Sequence, residues 1–208
     1  KRYSSLSGSL STSLGLLTSL ISLDLSYNLI FGTIPTTIGF MTSLSYLALS
    51  YNYLSGSMPS AIGFMISLSS LTLNYNSLSG SIPSAIGYCK TLTSLYLYCN
   101  QLSGTIPTEI EYISPLNSLI LYDNKLSGFI PTTIGYMTSL IYLYLYSNQL
   151  TGTVPSQLCL LPQLVNVFIY YNNLMACSSD CTIGDTGNCI PGIKYIYEYY
   201  DLDRKSVV

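Results

Sequence analysis

Aliphatic residues return along this chain in a single frame. Leu20, Leu44, Leu68, Leu92, Leu116, Leu140 and Leu164 stand 24 residues apart, and Pro35, Pro59, Pro83, Pro107, Pro131 and Pro155 keep the same step. In the unit that begins at Leu44, the order Leu44, Leu47, Leu49 brackets a short alternating strand. Leu47 and Leu49 are predicted to face a core and Tyr46, Ala48 and Ser50 to face out. Gly56 then permits a tight bend, and Pro59 holds the chain extended before Ile62, Gly63 and Met65 close the unit. The return stretch is too short and too proline-rich for a long helix. Units of this size bury their apolar side only against their neighbours, so one unbroken period predicts one elongated stack with its strands in a parallel sheet.

Asparagine marks the end of each strand, at Asn28, Asn52, Asn76, Asn100, Asn124, Asn148 and Asn172. An amide at that corner reaches the open backbone groups of its own coil and of the adjacent one. Repetition makes a ladder, and each lost rung should cost about 1–3 kcal/mol through unpaired backbone groups.

The frame LxxLxxLxLxxNxLxGxIPxxIGxL resembles the leucine-rich repeat family, specifically its plant-type class of 24-residue repeats. Seven units fit over residues 17–176, with few departures: Glu111 and Cys159 replace the second glycine, Ala176 the first, and Val167 and Ile169 strand leucines. The resemblance implies an α/β-type solenoid, mostly β, wound as a right-handed superhelix. A parallel β-sheet lines its concave face, and short 3-10 or extended segments lie on the convex side. It implies recognition on the concave face, an extracellular or cell-surface setting, and no catalysis. Residues 1–16 read as a partial repeat, because Leu6-Ser7-Gly8-Ser9-Leu10 matches the second half of a unit, and sequence upstream of it is expected. Residues 177–208 read as a Cys-containing cap with a Tyr-rich tail.

Charge changes the picture. Hydrophobic residues make up 49% of the chain and charged ones 8%, against about a quarter in ordinary soluble domains. From Tyr3 to Ala176 the charged side chains are Asp24, Lys90, Glu109, Glu111, Asp123 and Lys125 alone. No basic track for phosphates exists, which disfavours nucleic acid. No apolar run approaches the roughly 18 residues of a membrane span. Dispersal then needs another agent. Hydroxyl rows on the return side, which include Thr33, Thr36, Thr105, Thr108, Thr132 and Thr153, are candidate O-glycan positions, and the chain lacks any N-x-Ser/Thr sequon. The bland reading of these rows is local backbone bonding by Ser and Thr. A charge-free Thr row also suits ice, although Ser interruptions and Phe129 break it.

Outward strand positions fall into columns. One runs Ser26, Ser50, Asn74, Tyr98, Tyr122, Tyr146, Tyr170, and another Asp24, Ala48, Thr72, Tyr96, Ile120, Tyr144, Phe168. At a strand spacing of about 4.8 Å, Tyr98 to Tyr170 form a stacked ladder of about 14 Å. Tyr142 and Tyr171 widen it into a patch with Asp123 as the nearby charge. Stacked tyrosines can simply stabilise their own sheet. They also suit partner capture, whether of a copy of the same chain, another protein or a glycan.

The six cysteines divide. Cys159, Cys177, Cys181 and Cys189 cluster as candidates for a disulfide cap, with three pairings open, which is preferred to a metal site with Cys177, Cys181 and Cys189 as three ligands. Cys89 occupies a frame position held elsewhere by Met and reads as a buried hydrophobe. Cys99 lies outward with no partner expected inside the stack, which leaves a free thiol or an intermolecular bridge. The stretch Ile193 to Tyr199 alternates like a strand, fit to cover the last coil or to augment a neighbouring molecule. Histidine is absent, and Glu109 and Glu111 imply no pocket, so neither catalysis, a cofactor nor a metal is expected. The combined expectation is a non-catalytic extracellular module that self-associates in a filament, matrix or wall. A receptor- or inhibitor-like ectodomain that holds a peptide or glycan on its Tyr-rich face is the alternative, and ice binding the third.

Overall fold

A computed structural model of the chain describes residues 5–175. Strands Ser22–Asp24, Tyr46–Ala48, Ser70–Thr72, Ser94–Tyr96, Ser118–Ile120, Tyr142–Tyr144 and Asn166–Phe168 form a seven-stranded sheet in strict neighbour order. Pairing is parallel and in register, with Leu47 opposite both Leu23 and Leu71. Five-residue 3-10 turns such as Ser60–Phe64 line the opposite side. A proline at extended φ precedes six of the seven turns described. No helix among the described residues is long and apolar enough to cross a membrane.

Between strand and turn runs a second parallel sheet of eight strands, from Ser7–Ser9 through Tyr53–Ser57 to Asn173–Met175, which the sequence pattern did not announce. Its pairing uses backbone groups along the N-L-S-G stretch, whose residues read in isolation as turn formers. The core is a continuous strip in which Leu44, Leu47, Leu49, Leu54, Ile62 and Met65 are wholly buried and their equivalents up to the coil of Leu140 are buried, while Leu164 and Leu174 in the last coil are partly buried.

Each asparagine joins coils in one way. Asn100 Nδ2 donates to the Leu97 carbonyl of its own coil and to the Leu73 carbonyl of the preceding coil, both at 3.0 Å, while Oδ1 accepts from the Leu78 N–H at 2.9 Å. The same three contacts recur at Asn52, Asn76, Asn124, Asn148 and Asn172. Asn28 bonds Leu25, Ser26 and Leu6. Glycine sets the spacing at the turns, since a Cβ on Gly63 would lie 2.5 Å from the Ala85 carbonyl oxygen of the next coil.

Asn100→Ala would strand the Leu78 N–H in the middle of the stack and leave the Leu73 and Leu97 carbonyls with one asparagine donor each instead of two. We expect a loss of about 1–3 kcal/mol, read as a lower urea midpoint, whereas an exposed change such as Gln101→Ala should leave the midpoint in place.

Candidate binding face with a tyrosine spine and two hollows

The residue before each asparagine adopts a left-handed backbone: Tyr27, Tyr51, Tyr75, Cys99, Asp123, Ser147 and Tyr171 have φ between 51° and 58°. This conformation is uncommon for non-glycine residues and is held here by bonds on both sides. The Tyr51 N–H donates to the Asn74 carbonyl at 3.0 Å, and the Tyr51 carbonyl accepts from the Asn28 N–H at 3.2 Å. Side chains at this corner therefore project along the edge of the outward face. Tyr27, Tyr51 and Tyr75 stack there at 4.3 and 4.2 Å between centroids.

At the next coil the stack changes column. Tyr75 meets Tyr98 edge-to-face at 5.4 Å and 81°, and from Tyr98 the rings continue through Tyr122, Tyr146 and Tyr170 at 4.4, 4.3 and 4.7 Å. Seven rings from seven coils thus form one spine with a one-residue slip in the middle. Burial pushes the phenols of Tyr98, Tyr122 and Tyr170 up and that of Tyr146 up to about 12. The Tyr75 phenol is also raised, chiefly by its hydrogen bond to the Cys99 thiol.

The slip leaves different floors beside the spine. In the first half the floor is small and polar, and a hollow of about 530 Å³ opens there between Asp24, Ser26, Ser50, Thr72, Asn74 and the rings of Tyr27, Tyr51 and Tyr98. Asn74 and Ser50 are buried, with the Ser50 hydroxyl donating to Asn74 Oδ1 at 2.7 Å. In the second half a hollow of about 300 Å³ is framed by tyrosines over Ile120 and Ser118. Tyr144 leans on Phe168 at 4.6 Å and 39°.

Models of the leucine-rich repeat match residues 18–78 and, as single repeats, residues 91–113, 115–137 and 139–161. The chain belongs to the leucine-rich repeat family. Among solved structures, this leucine-rich repeat chain is similar to a plant peptide hormone receptor, RGFR1 in complex with RGF2. The two share 39% identity at a TM-score of 0.81, over 82% of this chain and 27% of that one. It is similar too to the ectodomain of the Arabidopsis thaliana membrane receptor kinase GASSHO1/SCHENGEN3 in complex with CASPARIAN STRIP INTEGRITY FACTOR 2, with 38% identity, a TM-score of 0.80, and 82% and 20% of the two chains covered. A plant ice-binding protein aligns at 27% identity and a TM-score of 0.60, over 81% of this chain and 70% of that one. The chain therefore spans about a quarter of the length of the receptor structures it matches. Curated protein sequences return no match.

The tyrosines singled out from sequence, Tyr96, Tyr98, Tyr122, Tyr142, Tyr144, Tyr146, Phe168, Tyr170 and Tyr171, do converge on one side of this leucine-rich repeat stack, but most are half-buried against one another. The edge stack of Tyr27, Tyr51 and Tyr75 was missed. Its signal was the Tyr-Asn pair at those three steps. A second missed feature lies on the return side, where Leu16, Phe40, Phe64, Tyr88, Tyr112, Tyr136 and Leu160 end successive 3-10 turns and are each at least half exposed. Here the signal was the large residue two positions after the aliphatic residue of each turn, Ile62 or Leu158 for example. Thr33, Thr36, Thr105, Thr108, Thr132 and Thr153 are exposed on the same return stretches.

Cys99 is a free thiol, one of the two outcomes expected from sequence. The left-handed corner aims its Sγ at Asp123 Oδ2, 3.6 Å away, and places it against the Tyr75 hydroxyl. Burial, and then the Asp123 charge, push this thiol up, which makes it a poor nucleophile for a bridge. Cys89 is buried, donates to the Ile62 carbonyl at 3.2 Å, and is pushed up to about 11 by burial. Cys159 packs against the core, while Cys177, Cys181, Cys189 and the Tyr-rich tail lie outside the described residues.

Because the phenols of Tyr75, Tyr98, Tyr122, Tyr146 and Tyr170 have folded values above the ordinary value of about 10, their neutral rings contribute stability that is fully present below that pH. It should be lost as pH rises through about 12, the value at Tyr146. Thermal midpoints across that window should fall, and phenolate absorbance should show a late-ionising group of tyrosines. A single titration of all tyrosines near pH 10 would contradict the spine.

Proposed function

We propose that this chain is a ligand-binding stretch of an extracellular leucine-rich repeat ectodomain, non-catalytic, which holds a short extended peptide on its outward strand face. The observation that carries the reading is the presence of two hollows on one face, one polar and one aromatic, joined by an unbroken spine of rings. Asp24 and Tyr144 are five coils apart, a span of roughly 24 Å at about 4.8 Å per strand. About seven extended residues cover that distance. Polar groups in the first hollow suit peptide N–H and C=O groups, and rings in the second suit a side chain. The resemblance to RGFR1 with RGF2, and to a receptor kinase ectodomain that also carries a partner, supports the same assignment. It also supports an extracellular or cell-surface setting.

Panning a random heptapeptide library on the folded chain tests this reading. Thr72→Tyr fills the polar hollow with the residue that the next coil carries at the equivalent position, Tyr96. Selected peptides should bind Thr72→Tyr at least about tenfold more weakly than the wild type, about 1.4 kcal/mol, with its thermal midpoint retained. Failure to enrich any peptide would overturn the proposal.

Self-association is a second reading, favoured by one observation, the exposed ridge of Phe40, Phe64, Tyr88 and Tyr136 on the return side. An apolar ridge that long is a surface to cover, and O-glycans on the neighbouring threonines are one way to keep it dispersed. On this reading light scattering shows a concentration-dependent mass that reverts to monomer in Phe64→Ser, Tyr88→Ser. A wild-type monomer at all concentrations would remove it.

A further inference from the structure

In the stretch of the outward column from Tyr96 to Phe168, one aromatic rung is missing. Tyr96, Tyr144 and Phe168 are aromatic, and Ile120 stands between the first two, paired in register with both. The neighbouring column shows what an unbroken run looks like, with rings at 4.3–4.7 Å from Tyr98 to Tyr170. Skipping one rung leaves Tyr96 and Tyr144 two strand spacings apart, roughly 9.6 Å. A flat group needs about 3.5 Å to the ring on each side, roughly 7 Å in all, so two strand spacings have room for one planar guest and not for two.

The hollow of about 300 Å³ lies at this gap. Ile120 forms an apolar floor, and the Ser118 hydroxyl beside it is already committed to Asn117 Oδ1 at 2.8 Å. Tyr98 and Tyr122 close one side and Tyr142 the other, with the ring pairs Tyr96–Tyr98 and Tyr142–Tyr144 meeting at 54° and 67° to make two corners. A guest is therefore held by ring faces rather than by donors in the floor.

Charge selects the guest. The described cations lie elsewhere: Lys90 Nζ bonds the Tyr112 carbonyl on the return side, and Lys125 Nζ bonds Gln101 in the flanking sheet. The charges near this face are Asp24, in the other hollow, and Asp123, which follows Tyr122. Five electron-rich rings, with no cation among the residues that line the hollow, favour a cation as guest. Among cationic side chains the guanidinium is planar, weakly hydrated and able to lie flat between two rings.

We infer that the gap between Tyr96 and Tyr144 is a receptor site for one arginine side chain of the bound peptide, whose guanidinium completes the interrupted stack over Ile120. This rests on the peptide-binding reading for its biological source, though not for its chemistry.

The test titrates the folded chain with N-acetyl-arginine amide, N-acetyl-norleucine amide and N-acetyl-tyrosine amide, followed by tyrosine ring resonances. The arginine probe should bind in the millimolar range, shift the Tyr96 and Tyr144 rings, and outbind norleucine. Ile120→Tyr, which restores the missing rung, should weaken the arginine probe at least about tenfold, about 1.4 kcal/mol. Tyr144→Leu, which removes one wall, provides the same readout should the filled variant fold poorly. No arginine-specific shift, a tighter tyrosine probe, or arginine binding unchanged in both variants would overturn the inference. Library peptides that bind without arginine and tolerate Ile120→Tyr overturn it while leaving peptide capture intact. Arginine binding with no enriched peptide leaves the site standing and removes the larger reading.

Discussion

Registration of successive coils is the constraint from which the surface of this molecule follows. Each asparagine amide saturates one N–H and two carbonyls, on its own coil and the preceding one, and can do so only if every coil repeats the same rise and corner. Sliding one coil against the next by a residue would break three bonds at once and turn the strand leucines outward. Once register is fixed, residues in equivalent frame positions have no choice but to stack. A tyrosine that recurs at one step meets another at the spacing of the strands, and the 4.2–4.7 Å separations along the parallel-stacked stretches of the spine are that spacing expressed in rings.

The same registration makes departures conspicuous. Where the frame places tyrosine at the left-handed corner, as at Tyr27, Tyr51 and Tyr75, the adjacent position holds Ser26, Ser50 or Asn74 and the floor stays low. Where tyrosine moves one residue back, at Tyr98 and beyond, the corner holds Cys99, Asp123 or Ser147. Two large residues in succession occur at Tyr170 and Tyr171, whose rings meet at 74°. The alternation is steric at root, since a single edge carries one ring per rung without forcing a second into the floor. It divides one continuous face into a polar half and an aromatic half.

Much of this was legible in the chain itself. The step of 24 residues, the strand leucines and the asparagines name their own neighbours, because a strict period converts positions in sequence into contacts in space. The second sheet was not legible, because its paired residues, such as Ser55 and Ser77, are turn-forming types with no alternation of apolar side chains to mark a strand. Nor was the edge stack of Tyr27, Tyr51 and Tyr75. Alternation along a strand assigns side chains to two faces, whereas a left-handed residue points to neither, and its φ is not written in hydrophobicity. The hydrogen-bond neighbours of the free Cys99 thiol were hidden for the same reason: they are reached only through that corner. The tyrosine columns could be drawn up from sequence, but hollows are properties of gaps, and a gap appears only when the rings on either side have positions.

A stack of this kind acquires a site in an unusual way. In a globular enzyme, chemistry converges from distant segments and each substitution disturbs packing on several sides. Here an outward rung touches chiefly the rungs above and below, so replacing one aromatic residue by isoleucine costs about the stacking of one ring, roughly 0.5–1.5 kcal/mol per pair, and leaves the leucine core and the asparagine bonds as they were. What it leaves behind is a slot of defined thickness with a dry floor, because Ile120 is buried beneath it. The depletion of charge sharpens such a slot. On a surface crowded with lysines and glutamates, a few ring faces would be a minor feature. On this face they are the leading electrostatic term, and a partner's cation has few rivals for where to settle.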